Sequence, residues 1–264
     1  MLAGDPIEAA EQAHDHLKNA SLEDYYDTIL LKGLRLAEVD NRLGHLNEER
    51  LDRIVATVGE LVADLETHHD AEAMNVVSAD ATSNLGALVA AEQPNDKHIL
   101  TSDRWKTPRS VLCIPGSGKL DEAAALVLAQ ILRRHGYGAA SEKADALSMS
   151  KFFSLDLTET SLICVCYVDR SSSAKIQYAV RRLTKKSSAG ILLAFLGADG
   201  ATPAEMVSSA QLAEGSFEVV LAALIRAASE QDAAIDTEVH LHLATDQPPR
   251  TDCKDIPRDQ HPDH

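Results

Sequence analysis

Aromatic residues make up only 4% of this 264-residue chain, and no apolar run comes near the ~20 residues that a membrane-spanning helix needs. The longest strongly apolar stretches are short, Ile191–Leu196 among them. Positive charge is also scarce, with 25 Lys+Arg against 41 Asp+Glu and a net charge of −16. Nucleic acid and anionic lipid surfaces both require a basic footprint, so neither is expected as a direct partner. Met1–Ala10 is acidic and has no apolar core, so no signal peptide is expected there and a cytoplasmic location is. The four cysteines (Cys113, Cys164, Cys166, Cys253) lack zinc spacing, and a disulfide framework does not fit that compartment. Cys164 and Cys166 would share one face of a strand and read as buried structural thiols. There is no nucleophile-elbow serine, and no carboxylate pair stands out. Apolar residues reach 45%, enough for a core, which must be aliphatic and Ala-rich.

Residues 1–72 read as an acidic helical bundle, holding 17 acidic and 6 basic residues for a net of −11. Asp5-Pro6-Ile7-Glu8 is a helix start, with Asp as cap and Pro in the first helical position. Ser21-Leu22-Glu23-Asp24 repeats that logic and leads into Tyr26, Ile29, Leu30, Leu34 and Ala37 at helical spacing. Asn47 opens a third helix whose stripe is Leu51, Ile54, Val55, Val58, Leu61, Val62 and Leu65. Residues 73–109 read as a linker with a short helix near Ala79–Glu92. Residues 110–244 read as an α/β domain: strands at Ser110–Pro115, Leu162–Val168 and Ile191–Leu196, helices at Leu120–His135 and Ser172–Lys186. Phe217–Val220 is expected as a further strand, Ala222–Ser229 as a helix, and the alternating Val239–Leu243 as an edge strand. Strands alternating with helices imply a doubly wound, mainly parallel, Rossmann-like sheet. Residues 245–264, with four prolines and many charges, read as a disordered tail.

Cys113-Ile114-Pro115-Gly116-Ser117-Gly118-Lys119-Leu120 has the layout of a strand, a Gly-rich turn and a helix start. A phosphate loop would need Gly at position 113 and a hydroxyl residue after Lys119, where Cys113 and Leu120 stand. A plain tight turn and a generic anion site at the helix N-terminus remain open there, although Asp121 and Glu122 already occupy the favourable field. His14/His16 and His68/His69 are poorly spaced for shared metal ligation, whereas His240 and His242 would share a strand face. Arg181, Arg182, Lys185 and Lys186 form one basic helix face, solvated or docking the acidic helices or a partner. Ligands in such a fold bind outside the carboxyl ends of the strands, over which the helical module is expected to sit. That places Pro115, Gly116, Ser117, Gly118, Tyr167, Asp169, Ser171 and Gly197 as candidate ligand-binding residues, with no metal and no catalytic residue expected.

A helical bundle followed by a Rossmann-like domain resembles the cobalamin-binding modules of methionine synthase and related light sensors. The helix Ala125–Gly136 with Gly136-Tyr137 resembles that family's first helix and its Gly-aromatic end. The family's Asp-x-His-x-x-Gly would fall on Lys119, Asp121 and Ala124, its Ser-x-Leu on Cys166-Tyr167-Val168 and its Gly-Gly on about Ala194-Phe195. Every ligand-contacting position is changed, so no cofactor is expected through that His. The segments Ala3–Glu11, Tyr25-Tyr26-Asp27, Val111–Gly116 and Leu120–Ala124 resemble a soluble C-terminal region of bacterial autoinducer-2-exporter-type permeases. The resemblance implies a non-catalytic cytoplasmic sensor or interaction domain, tethered at the inner face of the membrane, with the membrane portion of a transporter as partner. The start Met1-Leu2-Ala3-Gly4-Asp5 fits an excised domain and equally a natural beginning. A homodimer through the Ala-rich helices is also compatible. Two rivals remain: a sensor of a small ligand (a corrinoid held by another His, or a nucleotide), and an enzyme working at the Gly116–Lys119 turn.

Overall fold

The computed structural model describes residues 6–68, 70, 102–169, 172–197 and 209–245. Of the polar helix starts named above, Ser21 and Asn47 cap their helices as expected, and Asp5 lies outside the described residues. Asp24 N donates to Ser21 Oγ at 3.1 Å and Arg50 N donates to Asn47 Oδ1 at 2.9 Å. They open α2 (Leu22–Tyr25) and α4 (Glu48–Asp64). Before them lies α1 (Pro6–His16); between them α2 runs through a π-helical turn, Tyr26–Leu30, into α3 (Leu31–Arg42). The apolar stripe of α4 is buried at Leu51, Ile54, Val58, Leu61 and Val62. The expected helix at Ala79–Glu92 lies outside the described residues, but the chain just after it, α5 (Asp103–Lys106), buries Trp105 in the core.

The sheet is five-stranded and all parallel among the described residues, in the order β2-β1-β3-β4-β5. Its strands are β1 (Val111–Pro115), β2 (Ala139–Ser141), β3 (Leu162–Tyr167), β4 (Gly190–Phe195) and β5 (Gln211–Glu214). Residues of β1 and β3 are buried along their whole length, which is what continuous apolar runs achieve only when both faces of a sheet are covered. The helices are α6 (Lys119–Arg134), α7 (Ser173–Lys186) and α8 (Phe217–Thr245). The architecture is the Rossmann-like α/β fold expected from the alternation of strands and helices.

One compact unit extends to Ala228, and the residues from Ser229 onward belong to a second. In the first unit the two faces of the sheet carry separate cores. One joins α6, the start of α8 and the acidic helices, through residues such as Leu34, Val58, Leu128 and Leu224. The other joins Ile176, Val180 and Leu183 of α7 to Phe152 and Leu155. The seam between α4 and α6 is polar at its centre. Tyr26 donates to Gln130 Oε1, and Gln130 Nε2 donates to Val62 O at 2.7 Å. Arg133 holds Glu66 with two bonds, of 3.0 and 2.9 Å.

The last third of the chain departs from expectation. Phe217–Val220 and Val239–Leu243 are helical, both within α8, and the fifth strand is Gln211–Glu214. Phe217 N and Glu218 N donate to the Asp27 carboxylate at 2.6 and 3.1 Å, and Val219 N donates to Ser216 Oγ, so the helix is capped where a strand was expected. Phe217, Val220, Leu221, Leu224 and Ala228 then bury at helical spacing. Once a helix is nucleated, five alternating residues do not interrupt it. The tail at 246–264 lies outside the described residues.

Candidate functional site

In the order 2-1-3-4-5 the strand sequence reverses between β1 and β3, and the crevice at their carboxyl ends is where this fold binds ligands. Pro115 closes β1, and Gly116 N donates to Cys166 O at 2.8 Å, which extends the pairing with β3 by one residue. A Cβ at position 116 would overlap the Tyr167 ring, so glycine is required there for close approach rather than for a phosphate. Tyr167 is itself buried and stacks on Phe195, with ring centroids 5.1 Å apart and planes 11° apart. Burial pushes its phenol well above the usual range.

The turn after β1 already holds an anion, and it belongs to the chain. Asp121, in the first turn of α6, is buried and points back at the turn. One carboxylate oxygen accepts from Ser117 N at 2.8 Å, Ser117 Oγ at 3.2 Å and Gly118 N at 3.2 Å; the other accepts from Val168 N at 2.7 Å. The donors that would cradle a phosphate at a helix N-terminus are thus bonded to an internal carboxylate that also ties β1 to β3. Desolvation raises the Asp121 pKa, against the opposing pull of these four hydrogen bonds. Lys119 turns away to Glu48, at 2.9 Å, and Asp52 on α4, and these bonds raise its pKa. Leu120 is buried in the core where a phosphate loop would place a hydroxyl.

Helix α3 crosses the same strand ends with Arg35, Glu38 and Arg42, spaced to share one face. Arg35 donates from Nε to Leu196 O at 2.5 Å and from Nη2 to Gly215 O at 2.8 Å, bonding the carbonyls that follow β4 and β5. Arg42 pairs with Asp169 at 3.1 Å. Glu38 is half-buried between them; desolvation raises its carboxyl, and the charges of Asp121 and Asp169 add to that. At Gly197 a Cβ would stand 2.9 Å from Val168 O, another close backbone approach.

Of the eight sequence candidates, the structure brings Pro115, Gly116, Ser117, Gly118, Tyr167, Asp169 and Gly197 to the strand ends, while Ser171 lies outside the described residues. The residues that decide the character of the crevice are others: Asp121, Arg35, Glu38 and Arg42. Asp121 is a first-turn acid, ordinarily exposed, and its burial follows from the turn curling over it. The i, i+3, i+7 spacing of Arg35, Glu38 and Arg42, bordering the buried stripe of Leu31, Leu34 and Ala37, was the available signal.

Asp121 stands where the cobalamin-like resemblance would place the cobalt-ligating His. Both its oxygens are committed to the chain's own donors, and the Tyr167 ring lies over Gly116. These residues do not fit a corrinoid there. His14 bonds Asp64 at 2.8 Å, with its ring centroid 6.5 Å from that of His68, and no group of three His, Cys, Asp or Glu among the described residues could hold a metal ion. His69 lies outside the described residues. The edge strand meant to bring His240 and His242 onto one face is helix, where residues two apart do not share a face. A separate cleft of about 470 Å³ lies beside β2, with Arg109, Glu142, Lys143, Lys151 and Asp156 among its walls. Arg109, at φ 66°, pairs there with Glu142 at 2.7 Å. Among the described residues no helix is long and apolar enough to cross a membrane. No protein-family model matches the chain, and no curated protein matches it in sequence.

Proposed function

We propose that this chain is a non-catalytic interaction domain, cytoplasmic and regulatory, which partners the membrane portion of a transporter. One observation carries the non-catalytic part: the ligand-binding crevice of the fold is filled from within by Asp121, whose carboxylate takes four donors at the point where β1 and β3 diverge. A catalytic or ligand-binding crevice needs free donors and open volume. Here the polar groups at the strand ends are bonded to one another, and α3 lies across them. The transporter link rests on the likeness of Ala3–Glu11 and Val111–Gly116 to permease-attached regions.

Two measurements test the reading separately. Titration calorimetry with hydroxocobalamin, and with ATP and magnesium, should give no binding heat; a micromolar dissociation constant for either would overturn the non-catalytic part. The immobilised chain, exposed to detergent-solubilised membranes of its own cells, should retain an integral transporter. Retention of soluble enzymes alone would remove the transporter.

A further inference from the structure

The strand-end crevice is closed by the chain's own groups, but the cleft beside β2 has the open volume and the unspent charges that the crevice lacks. Two stretches of chain face each other across it, residues 142–146 after β2 and residues 151–156 ahead of β3. Both are held from outside. Ala144 N donates to Glu122 of α6 at 2.8 Å. From α7, Arg182 donates to Leu147 O at 2.7 Å, and Lys186 donates to Phe152 O and Phe153 O at 2.6 and 3.0 Å. Arg109 spans the gap, its Nη2 donating to Glu142 Oε1 at 2.7 Å and to Asp156 O at 3.2 Å. The backbone of Arg109 stands at φ 66°, in the left-handed region that a side chain of this size disfavours, so the surroundings impose it. The buried Ala146 and Leu155 give the cleft its apolar lining.

Arg109 and Glu142 neutralise each other, and the remaining charges do not. Lys143, Lys151 and Asp145 line the cleft with exposed side chains that make no hydrogen bond or ion pair among the described residues. Asp156 spends one carboxylate oxygen on Thr158 N and Thr158 Oγ1, at 3.0 and 2.6 Å; its other oxygen makes no hydrogen bond among the described residues. Two cations and two anions therefore share one preorganised cleft without pairing with one another. A simple anion would meet Asp145 and Asp156 as well as the lysines, and a simple cation would meet the lysines as well as the acids. A molecule carrying both charges turns all four into attractive contacts. At about 470 Å³ the cleft has room for a molecule between a free amino acid and a dipeptide in size.

We infer that this cleft binds a small zwitterion of the amino-acid or short-peptide class, its carboxylate toward Lys143 and Lys151 and its ammonium toward Asp145 and Asp156. The site is separate from the strand-end crevice, so it goes beyond the interaction-domain reading and stands or falls without it.

Titration calorimetry of the full chain tests it with 4-aminobutyrate and 6-aminohexanoate, which carry both charges at two separations. Butyrate, hexanoate, butylamine and hexylamine are the singly charged controls of matching size. At about 20 mM salt at least one zwitterion should bind with a millimolar or tighter dissociation constant, and its two singly charged counterparts at least tenfold more weakly. Raising the salt to about 500 mM should weaken the zwitterion at least tenfold. Backbone amide shifts on binding should fall on residues 142–146 and 151–156. Lys143→Gln with Lys151→Gln, and Asp145→Asn with Asp156→Asn, should each weaken binding at least tenfold; circular dichroism checks that both variants stay folded. If the second pair unfolds the chain, Asp145→Asn alone reads the same side. Absence of binding by both zwitterions at about 50 mM overturns the inference. So does a singly charged counterpart that binds as well, a set of shifts elsewhere in the chain, or a folded variant that binds as the wild type does. Retention of a transporter by the immobilised chain is read separately, and none of these outcomes alters it.

Discussion

Replacing Asp121 by Ala removes both acceptors from the turn after β1 and adds no bulk. Four donors lose their partner: Ser117 N, Ser117 Oγ, Gly118 N and Val168 N. Val168 lies at a buried strand end, so its N–H bears most of the roughly 1–3 kcal/mol cost of a buried orphan donor. The turn N–H groups are partly reachable by water and add about 1 kcal/mol together. Removing the desolvated carboxylate returns part of this, so the net loss should be about 2 kcal/mol. At roughly 2–4 °C per kcal/mol for a chain of this size, the melting temperature should fall by about 4–8 °C. The turn then becomes the vacant anion site it resembles. Formate, a carboxylate without a tether, should restore a few degrees to Asp121→Ala: at about 200 mM, against a dissociation constant of about 20 mM, the gain is about 1.4 kcal/mol. The assay is thermal unfolding by circular dichroism in formate against chloride of matched ionic strength. Equal stability of variant and wild type, or an equal formate effect on both, would refute the self-liganded turn.

Further expectations follow from neighbouring groups. Gly116→Ala drives a methyl into the Tyr167 ring and should destabilise by about 3 kcal/mol or more, whereas in a Tyr167→Ala background the same change should cost far less, as a double-mutant cycle by urea unfolding would read. Cys113, Cys164 and Cys166 are buried, and a hydrogen bond with Cys166 together with burial pushes the Cys113 thiol well up; all three should resist iodoacetamide in the native protein and react in urea, as peptide mapping will show. Arg133 holds the Glu66 carboxyl below its ordinary range, so Glu66 contributes stability that is present above the unfolded carboxylate value and is lost as pH falls. Asp121 has the opposite sign, since its raised carboxyl favours the folded chain most at low pH and less as pH rises. Arg133→Gln should therefore reduce the stability gained between about pH 3 and 7, by less than about 1 kcal/mol because Glu66 is half-exposed; chemical unfolding at both pH values measures it.

The parts of the fold that were legible in the sequence are those set by local chemistry. Ser21 and Asn47 read as caps and act as caps, and the all-apolar Leu162–Tyr167 reads as a strand buried on both faces. The short strands were not legible. Ala139–Ser141 has three small residues with no β preference, and Gln211–Glu214 exposes all but Ala213, so only pairing with β1 and β4 makes them strands. Phe217–Val220 has a strand-like composition, but the cap comes from Asp27, 190 positions earlier, which no local pattern reveals. At the strand ends the turn residues were legible and their state was not. Ser117 and Gly118 mark an anion-binding turn, yet whether it faces solvent or its own Asp121 depends on side-chain direction. The clamp from Arg35 is likewise a long-range fact, joining residues 161 and 180 positions apart.

The claim that the crevice is closed by the chain's own groups is tested most directly by a native mass spectrum of the purified wild type, taken with its visible absorption spectrum. A colourless protein whose subunit carries the bare polypeptide mass of 28.5 kDa is the expected result. A subunit carrying the extra mass of a nucleotide or a corrinoid, or showing corrinoid absorption, would contradict the account and make the turn at Gly116–Lys119 the first place to look.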